Sequence, residues 1–229
     1  MHNTSIDVLD KGFVRLDGHM ADDLSVVNAA RVSFATRKDL MDESDVGLVR
    51  FLMREHHGTP FEHNAFRFHV KAPIFIAREW FRHRIGSFNE WSGRYSKLEG
   101  EFYVPEPENV RSQIGKPGAY TFEPVSDSIS ALVRNRDLHE AYWKSWSSYE
   151  AMLDNGVAKE IARLVLPVGI YTQFYWTVNA RSLMNFLSLR NAPTAMWEIQ
   201  QYAKVIEDIF AELMPVTAEA FVRNERVAP

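Results

Sequence analysis

Two stretches of strict apolar–polar alternation, Phe66-Arg67-Phe68-His69-Val70-Lys71 and Ile170 through Val178, constrain this chain more than any other feature. A period of two sends successive side chains to opposite faces, so each stretch reads as a strand with one buried face. Around them the apolar spacing becomes helical. Leu24 to Arg31 is a short helical stretch. A firmer helix starts near a cap at Ser44, carries Val49, Leu52 and Met53, and stops at His57-Gly58 before Pro60. Ala72-Pro73 opens a helix with Ile74, Ala77, Arg78 and Phe81 on one face. That helix ends in Arg82-His83-Arg84, and Gly86 begins a polar loop to about Arg94.

Later, a long helix carries Ile129, Leu132, Val133, Tyr142, Trp146, Tyr149 and Leu153 and closes at Asn155-Gly156, and a shorter one reaches Leu166-Pro167. Asn179 caps a helix to about Leu189, and Ile199, Tyr202, Ala203, Ile206, Phe210 and Leu213 form the stripe of the last long one. Ile6 to Leu16 reads as strand and turn around Lys11-Gly12. Residues 105–124, rich in Pro and Gly, read as a connector rather than an element. The expectation is one α+β domain over residues 1–229, a mixed or antiparallel sheet packed with several helices.

Composition narrows the chemistry. At 229 residues and 46% hydrophobic the chain can fill a core, and its 26 Lys+Arg against 30 Asp+Glu argue against dedicated coating of nucleic acid or an anionic membrane. The absence of cysteine excludes disulfides, thiolate metal sites and any cysteine nucleophile. Met1-His2-Asn3-Thr4-Ser5-Ile6-Asp7 carries no basic segment followed by an apolar stretch, and no apolar run reaches spanning length, so a cytoplasmic protein is expected. No Gly-x-Gly pair exists, so the dinucleotide fingerprint and the phosphate-binding loop are absent.

The segment from Arg82 to Tyr95 concentrates guanidiniums (Arg82, Arg84, Arg94), an imidazole (His83), serines (Ser87, Ser92), glycines and aromatic rings. Such an inventory suits an anionic, flat ligand. The plainer alternative is that Arg82, His83 and Arg84 complement a helix dipole and the rest is a solvated loop. His56, His57, Glu62 and His63 invite a metal reading, but Gly58 and Pro60 break any shared helical face and the spacing is not that of zinc proteases. Arg181 and Asn185 share a face of the Asn179-capped helix, with Arg190 at its end. Arg163, among apolar neighbours, reads alone as a snorkelling side chain.

The run Arg-His-Arg-x-x-Ser-x-Asn-x-x-Ser-x-Arg-Tyr over residues 82–95 resembles the signature of the flavin-dependent thymidylate synthases. Ala30-Arg31-Val32-Ser33-Phe34, Thr59-Pro60-Phe61-Glu62-His63, Arg163 with Leu166-Pro167, and Trp176 through Phe186 to Arg190 resemble that family's segments in its order. The resemblance implies the family's α+β fold, methylation of dUMP to dTMP with 5,10-methylenetetrahydrofolate, FAD and NADPH, and a homotetramer with shared active sites. It implies FAD binding by Ser33, His57, Thr59, Glu62, Arg82, His83, Arg84, Glu90, Asn179, Arg181 and Asn185. It likewise implies dUMP binding by Glu79, Arg82, Glu90, Trp91, Ser92, Gly93, Arg94, Arg163 and Arg190. Glu79 departs from the Gln that many members carry, which adds negative charge beside an anionic substrate.

Without a thiolate, C5 of the pyrimidine has to be activated electrostatically, which points to Arg190 as a catalytic residue. Ser92 stands where a nucleophile could be, but no base is evident for it in the sequence, so a positioning role is expected. Two other classes compete: a non-catalytic nucleotide- or RNA-binding module built on Arg82–Arg94, and a metal-dependent hydrolase built on His56, His57, Glu62 and His63.

Overall fold

The computed structural model describes residues 3–229. Met1 and His2, part of the segment read above for a targeting signal, lie outside the described residues. Among the described residues no helix is long and apolar enough to cross a membrane. The chain divides into two compact units. One comprises Met1–Ala72, Ile76–Glu90 and Gln173–Pro229; the other comprises Pro73–Phe75 and Trp91–Thr172. The Pro/Gly stretch 105–124 lies wholly inside the second.

The first unit is built on a five-stranded sheet. Strands β1 (Ser5–Val8) and β2 (Gly12–Met20) form the expected hairpin, and β2 continues past Leu16. Helix α1 (Asp23–Arg31) follows. The next helix, α2 (Glu43–Arg54), is capped by Asp42 rather than Ser44: Asp42 accepts the amides of Ser44 and Asp45 at 2.8 and 3.2 Å, while Asp45 accepts the Asp42 amide at 3.0 Å. A carboxylate at that position satisfies two orphan amides at once, which the Ser44 hydroxyl, inside the first turn, cannot. A four-residue turn of helix, α3 (Thr59–Glu62), leads into β3 (Ala65–Pro73), and α4 (Ile74–Trp80) starts one residue after Pro73.

The loop expected after Gly86 begins instead as a strand, β4 (Ser87–Glu90). Its polar residues hide it from propensity, because pairing with a neighbouring strand decides it. Later in the chain come β7 (Tyr171–Asn179) and α8 (Ala180–Arg190), after the second unit's β5 (Arg111–Lys116), β6 (Ala119–Pro124), α5 (Asp127–Leu132), α6 (His139–Asp154) and α7 (Lys159–Ala162). The first unit's sheet runs β1-β2-β3-β7-β4, with β1–β2, β2–β3 and β4–β7 antiparallel.

The chain ends in α9 (Trp197–Leu213) and α10 (Pro215–Arg223). The sequence reading did not find α10, whose start is set by Pro215 at its first turn. The inner sheet face presents Val14, Leu16, Phe66, Phe68, Val70, Phe174, Trp176 and Val178, all buried. Phe186 of α8 and Tyr202 and Phe210 of α9 meet this face, for example Phe66 with Phe210 at 6.1 Å and Trp176 with Phe186 at 5.0 Å between ring centroids. Each fully buried ring of this size contributes about 1.5–3 kcal/mol, so the alternation seen in the sequence is the pattern of the core.

In the second unit the stretch read as a connector contains the β5–β6 hairpin, turning through Pro117 with Gly115 at φ 107° and Gly118 at φ 86°. Its Pro and Gly content reflects a turn that needs left-handed backbone, not an unstructured link. The long helix is α5, a π-type turn over Val133–Leu138, and α6, closed at Gly156 with φ 78°. α7 continues as a 3-10 turn, Arg163–Val165.

Candidate functional site

A cavity of about 560 Å³ in the first unit is lined by Ala29, Ala30, Val32, Ser33, Leu52, His56, His57, Gly58, Thr59, Pro60, His63 and Arg181. Ser33 sits on a 3-10 turn, Val32–Phe34, that leaves α1. That turn is anchored from below: Arg31 reaches the fully buried Asp45 at 2.5 Å, and Lys38 reaches the same carboxylate at 2.7 Å. Arg31 is therefore an anchor for Ser33's loop. α2 ends at Arg54, and two residues on, His56 takes the left-handed φ of 57°, while Gly58 has an ordinary φ of −73°. Gly58 is required for space instead: a Cβ there would lie 2.4 Å from Arg181 Nε and 2.6 Å from its Cζ.

Arg181, in the first turn of α8, bonds Glu62 through Nη1 at 2.6 Å. α8 is capped as expected, Asn179 Oδ1 accepting the Ser182 amide at 2.8 Å. That bond commits the Asn179 oxygen to the helix. Arg181 and Asn185 share the polar side of α8 but border different cavities: Asn185 lines a second one of about 230 Å³, with His83, Arg84, Ile85, Ser182 and Leu189. Eight of the eleven residues expected to hold FAD thus fall into two groups, while Arg82, Glu90 and Asn179 line neither cavity. Ser33, His57, Thr59 and Arg181, with Glu62 attached, form one; His83, Arg84 and Asn185 form the other.

Arg190, the last residue of α8, is held on three sides. Its Nε donates to His83 Nε2 at 3.0 Å, Nη1 to Glu79 Oε2 at 3.1 Å, and Nη2 to the Glu79 backbone oxygen at 3.2 Å. The His83 ring lies edge-on to Phe186 at 5.0 Å. Burial, and then the Arg190 charge, push His83 down to about 4, so it is neutral near pH 7 and accepts through Nε2. The extra carboxylate at position 79 is the counter-ion of Arg190. Arg82 and Arg84 follow α4, exposed and without an ion pair among the described residues.

In the second unit the expected substrate loop folds back on itself. The Ser92 backbone oxygen accepts the amides of Tyr95 and Ser96 at 3.1 and 3.2 Å, and Trp91 Nε1 donates to the Ser96 hydroxyl. Ser92 Oγ accepts the Arg94 amide at 3.3 Å; among the described residues neither a carboxylate nor an imidazole is bonded to it. Arg94 pairs with Glu160 at 3.3 Å. Arg163 runs beside Gly93, where a Cβ would lie 3.4 Å from Arg163 Cδ, and its exposed guanidinium has no ion pair among the described residues. Glu90 ends β4 in the first unit.

The larger cavity has the size and lining to take an anionic small molecule. Its volume lies within the range of small-molecule sites, and its lining offers a guanidinium, hydroxyls, imidazoles and apolar side chains. Arg181 packs so closely on Gly58 that a methyl at that position would displace its guanidinium. The residues present therefore suit FAD. The histidine cluster has other uses here: His57 packs edge-on to Phe51 at 5.6 Å and Glu62 is engaged by Arg181. Among the described residues no group of His, Asp and Glu is placed to hold a metal ion. Sequence reasoning missed Gly58, whose role needs a partner far along the chain, and Asp45, whose only signal was its place three residues after a capping residue.

The chain resembles proteins of known family over most of its length. The family model described as thymidylate synthase complementing protein matches residues 15–216. A flavin-dependent thymidylate synthase from Thermotoga neapolitana is 53% identical over 219 residues, covering 95% of this chain and 94% of its own. One from Thermus thermophilus is 48% identical over 217 residues, covering 95% and 78%. Two solved structures of the UMP/dUMP methylase PolB from Streptomyces cacaoi, bound with 5-Br UMP and with 5-Br dUMP, superpose with TM-scores of 0.87 and 0.88 at 44% and 45% identity. Each covers 98% of this chain, and the chain spans 99% and 100% of theirs.

Proposed function

The chain belongs to the family of flavin-dependent thymidylate synthases, and on that premise we propose that it reductively methylates dUMP to dTMP, taking the carbon from 5,10-methylenetetrahydrofolate with FAD reduced by NADPH. The observation that carries the reading is the three-sided seat of Arg190 in a chain without cysteine. C5 of uracil is a poor nucleophile. With no thiolate to add at C6, a fixed positive charge beside N3 and O4 is the available means of enriching C5 in electron density.

Ser33, His57, Thr59, Glu62, Arg82, His83, Arg84, Glu90, Asn179, Arg181 and Asn185 would hold FAD, helix ends and guanidiniums replacing a Gly-rich loop. When bound, FAD supplies the hydride relay that no side chain can provide. Arg82, Glu90, Trp91, Ser92, Gly93, Arg94 and Arg163 would hold dUMP. The unpaired Arg163 suits its phosphate, and Ser92 with the Gly93 amide positions the nucleotide. Glu79 acts on the substrate through Arg190. The family match runs through both compact units, which supports reading the 229 residues as one functional domain. We further propose a homotetramer with active sites shared between subunits, working on nucleotide and folate pools of the cytoplasm.

The test is the visible spectrum of the purified protein, followed by release of the C5 proton from dUMP, with UMP assayed alongside. A yellow protein that exchanges the C5 proton supports the proposal. A colourless protein with no affinity for added FAD, or one that only binds RNA in a salt-dependent way, overturns it. Light scattering showing a fully active monomer would refute the shared sites.

A further inference from the structure

Arg181 is gripped by a part of the chain that the flavin reading does not use. While Nη1 pairs with Glu62, its Nε donates to the backbone oxygen of Pro229 at 2.6 Å. Pro229 is buried, and the path to it is pinned. Arg226 forks onto Glu207, Nη1 to Oε1 and Nη2 to Oε2, both at 2.6 Å; Asn191 Nδ2 adds a third donor to that carboxylate at 2.5 Å. The Arg226 guanidinium lies over the Phe221 ring, 5.2 Å from its centroid, and Asn224 Nδ2 closes on the Val227 oxygen at 3.0 Å. Glu225 and Arg226 take φ values of 53° and 61°. Two successive non-glycine residues hold left-handed backbone only where their surroundings over-determine it. Burial alone would raise the Glu207 carboxyl, yet bonds from Arg226 and Asn191 carry it below the ordinary carboxylate range, so the clasp is charged near pH 7.

We infer that residues 224–229 form a latch that positions Arg181 for the anionic ligand of the larger cavity, with Arg226 and Glu207 as its clasp. Arginine carries five N–H donors; Pro229 and Glu62 engage Nε and Nη1 and leave Nη2 for a ligand. A guanidinium already fixed in orientation gives up less rotational freedom on binding. The ligand's identity as FAD rests on the reading proposed above; the latch itself does not.

The experiment has two readouts on the full chain. In flavin-free protein, exchange of the Arg181 Nε–H with water is followed by nitrogen-15 NMR. Separately, FAD affinity is titrated for Arg226→Met alone, Arg181→Met alone, and both together. The latch predicts that Arg226→Met speeds Nε–H exchange and weakens FAD binding by about tenfold, with little further loss in the Arg181→Met background, as coupled residues behave. Arg226→Lys should recover part of the affinity. Should Arg226→Met not fold, Glu207→Gln, which keeps the shape but removes the charge, is read in the same way. A folded clasp variant with unchanged Nε–H exchange, or an equal FAD loss in both backgrounds, overturns the latch. Wild-type protein that takes up no FAD refutes the flavin reading alone, because the exchange measurement still decides the latch.

Discussion

Arg190 Nε donates to His83 Nε2 at 3.0 Å, and that bond fixes the tautomer of the imidazole. The imidazole can accept only when Nε2 is bare, so its proton resides on Nδ1. Burial and the neighbouring guanidinium keep the ring neutral, since a second positive charge beside Arg190 is unfavourable. Glu79 takes both remaining edges, one with its carboxylate and one with its backbone. A guanidinium held this way needs no reorganisation when negative charge develops nearby.

Arg190→Ala should lower the rate of dUMP methylation by about a hundredfold, close to 3 kcal/mol in barrier, with a smaller change in dUMP KM. Arg190→Lys keeps the charge but cannot reach His83 and Glu79 together, so it should restore only part. NADPH-driven flavin reduction should change little in both. Normal turnover of Arg190→Ala at saturating dUMP would assign the activation elsewhere.

Glu79→Gln keeps an acceptor for Arg190 Nη1 and removes a negative charge beside an anionic substrate. Steady-state kinetics should show dUMP KM falling by about threefold, the scale of one screened charge, with kcat within about a factor of two. A large fall in kcat at unchanged KM would mean that the ion pair itself, not the hydrogen-bond geometry, is needed for the reaction.

Gly58→Ala introduces a methyl 2.4 Å from Arg181 Nε without backbone strain, because φ there is −73°. Arg181 has to move, and FAD should dissociate at least about tenfold more readily while far-UV circular dichroism stays the same. Full flavin occupancy after gel filtration would show that Arg181 is not a flavin ligand in this orientation.

His83 makes stability depend on pH in a defined window. Its folded value, about 4, lies below the ordinary 6.5, so between those values the unfolded chain binds more protons than the folded one. Stability from this group is fully present above pH 6.5 and falls as pH drops toward 4. Urea titrations at intervals across that window should show the decline, and His83→Gln should flatten it. An identical slope in the variant would place the dependence on other groups.

Ser92→Ala should keep measurable turnover, because the hydroxyl accepts a backbone amide and lacks a bonded base among the described residues. A covalent adduct between Ser92 and the pyrimidine, trapped by mass spectrometry, would reverse that assignment.

The candidate site was legible in uneven measure. The Arg82–Arg94 run and the Asn179 cap were visible because their residues are close in sequence. The pairing of Arg190 with Glu79 spans 111 positions, and that of Arg181 with Pro229 spans 48. Nothing in local spacing records such partners. From the sequence Glu79 therefore read only as a negative charge near an anionic substrate; in the fold it is also the counter-ion of Arg190.

What the sequence determined by itself is what short-range physics controls. The period of two at Phe66–Lys71 and Ile170–Val178 placed β3 and β7 in the core, because each side chain's face follows from backbone geometry alone. The lack of cysteine settled which chemistry was unavailable whatever the fold. Tertiary structure alone decided that Ser87–Glu90 is a strand, since four mostly polar residues extend only when β7 supplies hydrogen-bond partners. It alone decided that Gly58 serves Arg181 rather than a helix end, that Arg181 and Asn185 border different cavities, and that residues 224–229 return to α8. Those outcomes depend on contacts whose loop-closure entropy is offset only once the whole core has formed, and no window of sequence contains that balance.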